Sequence, residues 1–488
     1  MSIKFFVFTH AQYRATRRQI KQIQVKMLSK QIFKKTLTQR SLSTTSFLDN
    51  RNVVLVDGAR TPFLKSSTDY NDIWQYDLLS KALSGLLKRN PKLDPKQIDH
   101  VSCGCVIQTV ATANVAREAA LAAGIPKSVP ANTVTLACIS ANVAINQCVD
   151  LIRTGDAEIC VAGGVEMMSD TPILWPRESR LWIMRYGQKI KGLFGPKGFL
   201  EMKKKFNNGG PFFRKFIGIE TSSIADFSTN ETMGHSADRL AAAMGVTREE
   251  QDNFAYRSHQ GALDAQKAGK LTDIIKVWIP GADPNKGPVD KDGAIFPNLK
   301  KSQTLKPAFI KPHGTVTAAN ASFLTDGATA CLIMSEEKAL ELGMKPLAYI
   351  RESVVISTDP VDECLLGPAY ATSKVLLKAN KKVQDIDVFE IHEAFAGQVL
   401  ANVKAMGDDK FCKENIPNRS EKVGDLPVEK INNWGGSLSI GHPFGATGVR
   451  LLTAAALRLQ DSQGKLGLVT ACAASGHAVG TIVERYPN

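Results

Sequence analysis

Two rounds of alternating strand-like and helix-like segments constrain the fold of this chain more than any other feature of its sequence. In the first round, short β-branched and apolar runs alternate with stretches whose apolar residues recur at helical spacing. The strand-like runs lie at 52–63, 98–110, 131–138 and 157–170, and the helix-like stretches at 76–89 and 114–124. Gly124 is expected to close its helix, and Gly163 and Gly164 to form a tight turn. This alternation predicts an α/β fold of packed layers.

The second round repeats the same order after a polar interval. It has a strand-like run at 346–357, a helix-like stretch at 372–380, a strand, loop and helix at 386–406, a long helix at 446–460 and a closing hairpin at 466–486. We interpret the two rounds as an approximate internal duplication. The interval at about 170–320 is rich in Gly and Pro and fits neither round, so we predict a loop domain inserted in the first half.

Basic residues are concentrated in two segments. Residues 1–48 contain ten Lys/Arg and no Asp or Glu, and residues 177–218 contain eleven Lys/Arg against two Glu. The formal net charge of +14 therefore does not describe the rest of the chain, which is slightly acidic. Because the positive charge is not spread over a whole domain, we predict no nucleic-acid partner.

The two basic segments predict contacts outside the body of the chain. The composition of 1–48, rich in Arg, Lys, Ser and Thr, is typical of a mitochondrial transit peptide, and the alternative is a disordered basic tail. The segment 177–218 mixes Lys and Arg with Phe, Leu and Ile, as interfacial segments do. We expect it to contact the inner membrane or a partner subunit, and the alternative is a solvated loop.

Nine cysteines are scattered along the chain without a CxxC pair or a His-rich cluster beside them. This usage fits a reducing compartment and predicts no zinc site. Most such cysteines are small buried residues, which is the alternative for Cys138. Cys138, however, ends a strand-like run where a helix begins, and helix N–H groups there are expected to stabilise a thiolate and lower its pKa. Cys138 is therefore a candidate nucleophile.

Three further residues lie at strand ends, in loops that suit catalysis. His392 follows an apolar strand in IHEAFAGQ and is a candidate oxyanion donor, unless it belongs to a helix-capping pair. His442 lies in NWGGSLSIGHPFGATGVR, where glycines allow a ligand close to the backbone, and it is a candidate base. Cys472, in TACAASGHA, is a candidate proton donor and acceptor, and the alternative is a buried small residue before a turn.

These four segments, in this order, resemble the thiolases. Members of that family carry a nucleophilic cysteine at a strand-to-helix turn, an [N/H]EAFA motif, a GHPxGxTG loop and a C-terminal CxxGG-type loop. The resemblance covers about residue 51 to the end, and GTVTAANASFLTDGA (314–328) is similar to the family's substrate loop. It implies the thiolase fold, as two duplicated five-layered α/β/α/β/α halves with an inserted loop domain. The implied domains are 49–335, which includes the loop domain, and 336–488.

Four segments are similar to one group within the family, the β-subunits of mitochondrial β-oxidation complexes: NVAREAAL, HEAFAGQ, TMGHSADRLAAA and LKPAFIKP. His392 fits that group too, since most thiolases have Asn there, and so does the place of the basic insertion. The resemblance implies an enzyme of the mitochondrial matrix, with peripheral contact to the inner membrane through 177–218. It also implies a homodimer within a hetero-oligomer that includes a hydratase/dehydrogenase α-subunit.

The resemblance implies thiolytic cleavage of a 3-ketoacyl-CoA by CoA, the last step of fatty-acid β-oxidation, to acetyl-CoA and a chain-shortened acyl-CoA. Cys138 would carry the acyl group as a thioester, with His442 as its base. Cys472 would donate and accept protons, and His392 would complete an oxyanion hole. CoA and acyl-CoA are substrates, and neither a bound cofactor nor a metal is expected. The implied substrate-binding residues are Asn320 and Ser322, along the pantetheine of CoA, with Gly441 and Ala474.

One departure from the family pattern lies in the C-terminal loop, which reads CAASG with Ser475 in place of the first glycine. Because this loop helps to form an oxyanion hole, Ser475 is expected to fit if its φ is negative. Two alternatives stay open: another condensing enzyme of this fold, such as a ketoacyl synthase, and an inactive thiolase-like scaffold subunit. Cys472 and the HEAF and GHP loops argue against the first, and the Ser475 departure gives the second its weight.

Overall fold

The computed structural model describes residues 51–186, 220–221, 225–281, 283, 285 and 287–487. The predicted transit peptide at 1–48 lies outside these residues, as does most of the basic segment 177–218. No helix within the described ranges is both long and apolar enough to cross a membrane.

Strands and helices follow the predicted alternation. The strands are β1 (Val53–Arg60), β2 (Leu64–Lys65), β3 (His100–Gly104), β4 (Ala131–Val134), β5 (Ile159–Glu166), β6 (Ile173–Leu174), β7 (Glu220–Thr221), β8 (Thr325–Ser335), β9 (Ala348–Ser357), β10 (Val388–Ile391), β11 (Leu466–Ala473) and β12 (His477–Arg485). The α-helices are α1 (Gln75–Arg89), α2 (Val115–Ala122), α3 (Ser140–Thr154), α4 (Arg177–Tyr186), α5 (Met233–Ala243), α6 (Arg248–Lys267), α7 (Leu299–Gln303), α8 (Glu336–Glu341), α9 (Gly367–Lys378), α10 (Ala396–Gly407), α11 (Asp409–Asn415) and α12 (Thr447–Ser462).

Both halves of the chain build the same strand order. In the first half, β1 pairs antiparallel with β8 and β8 antiparallel with β5, while β5 and β4 flank β3 in parallel. In the second half, β9 pairs antiparallel with β12, β12 antiparallel with β11, and β11 parallel with β10. The equivalent of β4 is reduced there to a parallel bridge between Phe389 and Ile431. The repeated order supports the predicted duplication, and a short pairing of β1 with β9 joins the halves.

Helices form three layers around these strands. α1 and α2 cover the outer face of the first half, and α9 and α10 cover that of the second. α3 and α12 pack against each other and against strands of both halves, where Ile145, Leu452 and Val469 share one buried cluster. The predicted α/β layering is confirmed, but the five layers are distributed over the two halves differently from the prediction. The two halves build the five layers α/β/α/β/α together, because α3 and α12 share the middle layer.

The prediction of a tight turn at Gly163 and Gly164 is wrong, because β5 continues through both residues. A Cβ at Gly164 would come within 1.8 Å of the carbonyl oxygen of Gly445. The missing side chain therefore lets the loop before α12 pack directly onto β5. A glycine pair that serves such a close approach looks like a turn signal in the sequence, because both uses exploit the absence of Cβ.

The inserted segment leaves the first half after β5 and returns at β8, yet its helices pack on the second half. α5 and α6 lie against α10, and Ala237, Ala241 and Phe254 join the buried cluster of the second half. Shortly before β8, Ala321 forms an antiparallel bridge with Phe395. The insertion thus brings the predicted substrate loop next to the IHEAFAGQ segment.

Candidate active site

Cys138 lies in a sharp connection between β4 and α3. Ala137 has a left-handed backbone conformation, with φ 45°, which turns the chain just before the helix. The Ser140 hydroxyl holds the turn, since it accepts from the Leu136 N–H at 2.8 Å and donates to the Ala137 carbonyl at 2.7 Å. The predicted strand-to-helix junction at Cys138 is present.

The Cys138 thiol is only partly exposed, and its surroundings raise its pKa. Burial has the largest effect and raises the pKa to about 12, while the backbone N–H groups of Ala474 and of Cys138 itself act in the opposite direction. The expectation of a lowered pKa is therefore wrong, because desolvation of the thiolate outweighs the helix N-terminus. Cys138 rests as a thiol, and it needs a neighbouring base to become a nucleophile.

His442 lies in the glycine-rich loop that leads into α12. Gly441 has φ 117°, and a Cβ there would come within 2.8 Å of the Thr325 side chain, so the position requires glycine. The His442 N–H donates to Thr325 Oγ1 at 3.0 Å, and the Gly445 N–H donates to the Glu166 carboxylate at 2.9 Å. These bonds fix the loop of the second half against β8 and β5 of the first.

His392 directly follows β10 and is held from two sides. Its backbone N–H donates to the Thr470 carbonyl at 2.8 Å, and its Nδ1 lies 3.0 Å from Ser437 Oγ. The next residue, Glu393, is fully buried and accepts hydrogen bonds from Ser258, Asn432 and Leu438. The alternative of a helix-capping pair is not supported, because α10 begins without a side-chain cap and Glu393 instead binds α6 and the loop before α12.

Cys138, His392 and His442 meet at one point. The Cys138 sulfur and one ring nitrogen of each histidine lie within 4.8 Å of one another. The two imidazole rings lie at a tilt of 47°, with their centroids 4.1 Å apart. In each ring, Nε2 is buried and has no hydrogen-bond partner among the residues that the structure describes. Two polar nitrogens are therefore available to a group bound at Cys138.

Both imidazoles are neutral near pH 7. Burial lowers the pKa of His392 to about 3 and that of His442 well below its ordinary value. The positive charge of buried Arg450 lowers both pKa values further. A neutral imidazole offers one N–H donor and one bare nitrogen, so each ring can donate a hydrogen bond or accept a proton.

Cys472 lies near the end of β11 and is buried. Burial raises the pKa of its thiol well above the ordinary value, and electrostatic interaction with Cys138 and Cys364 raises it further. Cys472 therefore lies close enough to Cys138 for the charge on one thiol to affect the other. Its predicted role as a proton donor and acceptor stays a prediction.

The two halves of the chain match the two domain models of one enzyme family. Residues 53–337 match the thiolase N-terminal domain, and residues 344–485 match the thiolase C-terminal domain. The chain belongs to the thiolase family. As a thiolase it is an acyltransferase.

Curated relatives and solved structures support the same family. A probable 3-ketoacyl-CoA thiolase of Caenorhabditis elegans is 50% identical over 449 residues, which cover 92% of this chain and 97% of the relative. The mitochondrial trifunctional enzyme subunit beta of Homo sapiens is 53% identical over 454 residues, covering 93% of this chain and 92% of the relative.

Two crystal structures resemble the whole thiolase body. The acetyl-CoA acetyltransferase of Bacillus anthracis has a TM-score of 0.74 and 32% identity, covering 89% of this chain and 99% of its own. A human mitochondrial 3-ketoacyl-CoA thiolase has a TM-score of 0.73 and 28% identity, covering 90% of this chain and 99% of its own. These likenesses confirm the predicted thiolase fold.

The C-terminal loop of this thiolase differs from the expectation at Ser475. Its φ is 63°, in the left-handed region, so the condition of a negative φ is not met and the serine is accommodated in another way. Asp226 stabilises this conformation, because the Ser475 N–H donates to Oδ2 at 3.0 Å and the hydroxyl donates to Oδ1 at 2.8 Å. These bonds oppose the roughly 1–2 kcal/mol that a left-handed residue other than glycine costs. They also hold the loop whose Ala474 N–H acts on Cys138.

Asn320 is not placed to line the pantetheine of CoA. It is fully buried, and its amide donates to Asp252 Oδ1 at 2.9 Å and to the Thr315 carbonyl at 3.1 Å. Its side-chain oxygen accepts from the Thr317 N–H at 2.7 Å. The predicted contact of Asn320 with CoA is therefore wrong for this structure, since the side chain is used to shape its own loop.

The other predicted substrate-binding residues lie nearer to an accessible surface or to the catalytic loops. Ser322 and Ala474 are partly exposed, and the Ser322 N–H donates to the Ala394 carbonyl at 3.0 Å. Gly441 is buried directly before His442. Their contacts with substrate stay predictions.

Two buried acids that support the site were missed by sequence reasoning. Glu166 accepts from the N–H groups of Val106 and Ile107 as well as of Gly445, and burial raises its pKa to about 7. A signal was available for Glu166, because an acid that ends an apolar strand needs partners for its carboxylate. Asp226 carried no such signal, because the residue that it holds is 249 positions away.

A thiol and two imidazoles are also ligand types that zinc prefers. The three atoms of Cys138, His392 and His442 lie within 4.8 Å of one another, somewhat wider than the ligands of a tetrahedral ion with bonds of about 2.0–2.3 Å. The site can therefore bind zinc only if these side chains close in. The prediction that this thiolase uses no metal stays a prediction.

Proposed function

We propose that this thiolase is a 3-ketoacyl-CoA thiolase, an acetyl-CoA C-acyltransferase of fatty-acid β-oxidation. It cleaves a 3-ketoacyl-CoA with CoA and releases acetyl-CoA and a chain-shortened acyl-CoA. The similarity to a probable 3-ketoacyl-CoA thiolase and to a human mitochondrial 3-ketoacyl-CoA thiolase supports this substrate class. The observation that carries the proposal is the meeting of the Cys138 sulfur with a nitrogen of His392 and of His442 within 4.8 Å.

In the first half-reaction, the Cys138 thiol attacks the 3-keto carbon while His442 accepts its proton. Because the thiol rests protonated and the imidazole neutral, proton transfer accompanies the attack. The bond between C2 and C3 then breaks, and its electron pair leaves with the acetyl-CoA fragment. Cys472 donates a proton to that carbon, which leaves the acyl group on Cys138 as a thioester.

In the second half-reaction, the thiol of a new CoA attacks the Cys138 thioester. The Cys472 thiolate left by the first half-reaction accepts the proton of the incoming thiol. His442 returns its proton to the Cys138 sulfur as the acyl group leaves for CoA. Each protein group thus regains its resting protonation state, with CoA as a substrate and without a bound cofactor or metal.

Two sets of donors stabilise the negative charge that develops on oxygen. The backbone N–H groups of Cys138 and Ala474 already act on the Cys138 sulfur, so they are close to an oxyanion formed on the attached carbon. His392 Nε2, and His442 Nε2 once it has taken the thiol proton, donate to the thioester oxygen of the departing acetyl-CoA, partly through water. Each such donor contributes roughly 3–4 kcal/mol to the stability of a transition state.

The direct test is release of acetyl-CoA from 3-ketohexadecanoyl-CoA and CoA by the purified protein. We expect the wild type to be active and Cys138→Ala to be inactive while folded. Condensation without thiolysis would instead indicate a ketoacyl synthase. A folded wild type without either activity would indicate the inactive scaffold subunit.

The names of the relatives also support a partner and a location. Several are mitochondrial trifunctional enzyme β-subunits, and we infer that this chain works in the mitochondrial matrix with a hydratase/dehydrogenase α-subunit, as a homodimer within that assembly. Residues 1–48 would be the transit peptide. Affinity purification from mitochondria, followed by mass measurement of the complex and sequencing of the mature N-terminus, tests all three statements. Recovery of a monomer with residues 1–48 intact would contradict them.

The basic segment 177–218 is proposed to contact an anionic inner membrane. Apolar side chains just before it or in its described part are exposed: Ile173 by 67%, Trp175 by 55% and Met184 by 77%. Apolar and basic residues together suit an interface, where each basic residue adds about 1 kcal/mol of attraction. Deletion of 187–218 should weaken binding to vesicles that contain cardiolipin but not to neutral vesicles. Equal binding of both proteins to cardiolipin vesicles would exclude this contact.

A further inference from the structure

The hydroxyl of Thr447 determines which nitrogen of His442 carries the hydrogen. Thr447 Oγ1 donates to the Pro443 carbonyl at 3.1 Å and lies 2.7 Å from His442 Nδ1. A hydroxyl has one hydrogen, and a carbonyl can only accept it. Threonines near a helix start commonly donate to the carbonyl four residues earlier, and with its hydrogen placed there Thr447 Oγ1 accepts from His442, so that Nδ1 carries the hydrogen. The buried Nε2 of His442 is then a bare acceptor.

The surroundings of His392 impose the opposite arrangement. Its Nδ1 lies 3.0 Å from Ser437 Oγ, and the same oxygen accepts from the Arg450 guanidinium at 3.1 Å. Arginine is a donor only, so the Ser437 hydroxyl hydrogen is left for the imidazole. Among the described residues, no other acceptor for this hydroxyl is found, and donation to His392 Nδ1 satisfies all three groups.

Arg450 is itself fixed in the direction from which it donates. It is buried, with 2% of its surface exposed, and its Nη1 lies 3.3 Å from Glu390 Oε2. Arg458 holds the other oxygen of that carboxylate at 2.5 Å. Glu390 lies in β10, two residues before His392, so the ion pair and the imidazole belong to the same end of this strand. A series of side-chain contacts therefore leads from the buried carboxylate of Glu390 through Arg450 and Ser437 to His392.

We propose that Ser437 and Arg450 are positioning residues that hold His392 with its hydrogen on Nε2, while Thr447 holds His442 with its hydrogen on Nδ1. The two neighbouring rings thus present one donor and one acceptor to the centre that contains the Cys138 sulfur. His442 is the ring that takes the thiol proton, and His392 is the ring that donates to the oxyanion. This inference rests on the proposed thiolysis for its catalytic meaning, but the tautomers themselves do not depend on it.

The tautomers can be measured in the resting protein by NMR. In protein labelled with ¹⁵N at histidine, couplings from the carbon-bound ring protons identify the protonated nitrogen, and the variants His392→Ala and His442→Ala assign the two signals. We expect hydrogen on Nε2 of His392 and on Nδ1 of His442. The same tautomer in both rings, or hydrogen on Nδ1 of His392, would overturn the proposal whether or not the protein is active.

Kinetics test whether Ser437 acts through His392. Ser437→Ala should lower kcat about tenfold or more with little change in KM, as part of the roughly 100- to 1000-fold effect of an oxyanion donor. Ser437→Thr keeps the hydroxyl and should retain most of the activity. Ser439→Ala is the matched control, because it also removes a fully buried hydroxyl from this loop but none that contacts His392. It should change kcat less than threefold.

The decisive comparison repeats Ser437→Ala in a His392→Ala protein. A residue that acts only through His392 should have no further effect there, within about twofold. A loss of kcat as large as in the wild type would show that Ser437 merely supports the fold, and it would overturn the positioning role. A wild type without thiolysis would refute the proposed function, and the NMR result would still decide the tautomers.

Discussion

The two halves of this thiolase have the same strand order but differ in what connects their strands. In the first half, β5 and β8 are separated by the long insertion at 167–324, whereas their counterparts β11 and β12 are joined by the turn at 474–476. The connection into the middle helix differs in the opposite sense. It is short before α3, at 135–139, and long and glycine-rich before α12, at 432–446.

This difference assigns separate tasks to the halves. The short connection holds Cys138 before α3, while in the second half His442 lies in the long loop before α12, His392 follows β10 and Cys472 lies near the end of β11. Because α3 and α12 pack together in the middle layer, the two equivalent helix starts lie side by side. A duplicated scaffold thus brings the proposed nucleophile from one copy to the proposed proton-transfer groups of the other.

The largest expected effect comes from removing His442, the proposed base that the second half supplies to Cys138 of the first. His442→Ala should slow acylation of Cys138 by about 10²–10⁴-fold, because the raised pKa of the thiol leaves it dependent on a base. Acetyl-CoA release measured in samples quenched at successive times checks this. His477→Ala, which removes a partly exposed histidine of the same half, is the control and should keep its activity. An acylation rate that His442→Ala leaves unchanged would mean that the first half activates its own cysteine.

A second prediction concerns proton transfer to carbon. Cys472→Ser should lower thiolysis by about 10²-fold or more, because a serine hydroxyl is a much weaker acid than a thiol. Exchange of the methyl hydrogens of acetyl-CoA with deuterated water, followed by mass spectrometry, reports this step alone. Cys412→Ser alters another buried thiol of the second half and should leave exchange intact. Normal exchange in Cys472→Ser would remove Cys472 from the mechanism.

A third prediction follows from the pKa of Cys138, which burial raises to about 12. The thiolate fraction should grow about tenfold per pH unit between pH 7 and pH 10, well below that pKa. Alkylation of Cys138 by iodoacetamide should therefore accelerate across this range, as measured by peptide mass spectrometry. A rate that is already constant above pH 6 would indicate a resting thiolate–imidazolium pair, and the half-reactions would have to begin from that state.

The smallest expected effect concerns the turn at 474–476, which joins β11 and β12 where the first half has its long insertion. Asp226→Ala should lower kcat about tenfold, since the turn that carries the Ala474 N–H loses two hydrogen bonds at Ser475. Ser475→Gly should stay within about threefold, because glycine adopts the positive φ without cost and keeps the bond from its N–H. If Ser475→Gly were the more damaging change, the hydroxyl itself, rather than the shape of the turn, would be the functional feature.

Much of this architecture could be predicted because it depends on patterns of residues that are close together in the sequence. Apolar periodicity predicts the strands and helices, and the glycines around His442 mark a loop that approaches other groups closely. The four site segments stand out because reactive side chains follow strand ends, where few polar residues are needed for folding. Three of the four residues, Cys138, His392 and His442, lie with their reactive atoms within 4.8 Å of one another.

The errors share a different cause, which is that the deciding partner is distant in sequence. Gly164 lies in a strand because Gly445 packs on it, and Ser475 is left-handed because Asp226 binds it. The side-chain amide of Asn320 donates to Asp252, so it is not available for a hydrogen bond with CoA. The pKa of Cys138 depends on how deeply the two halves bury its thiol. The helix N-terminus alone predicts a lowered pKa, whereas burial raises it. Local pattern gives the positions of these residues but not their partners.

The central claim is that Cys138 carries the acyl group during thiolysis, and one measurement tests it most directly. The purified protein is mixed with 3-ketohexadecanoyl-CoA without CoA, quenched in acid, digested and analysed by mass spectrometry. The account predicts one equivalent of acetyl-CoA per site and an acyl thioester on Cys138, which added CoA removes. Release of acetyl-CoA with an unmodified Cys138, or an acyl group on another residue, would contradict the account.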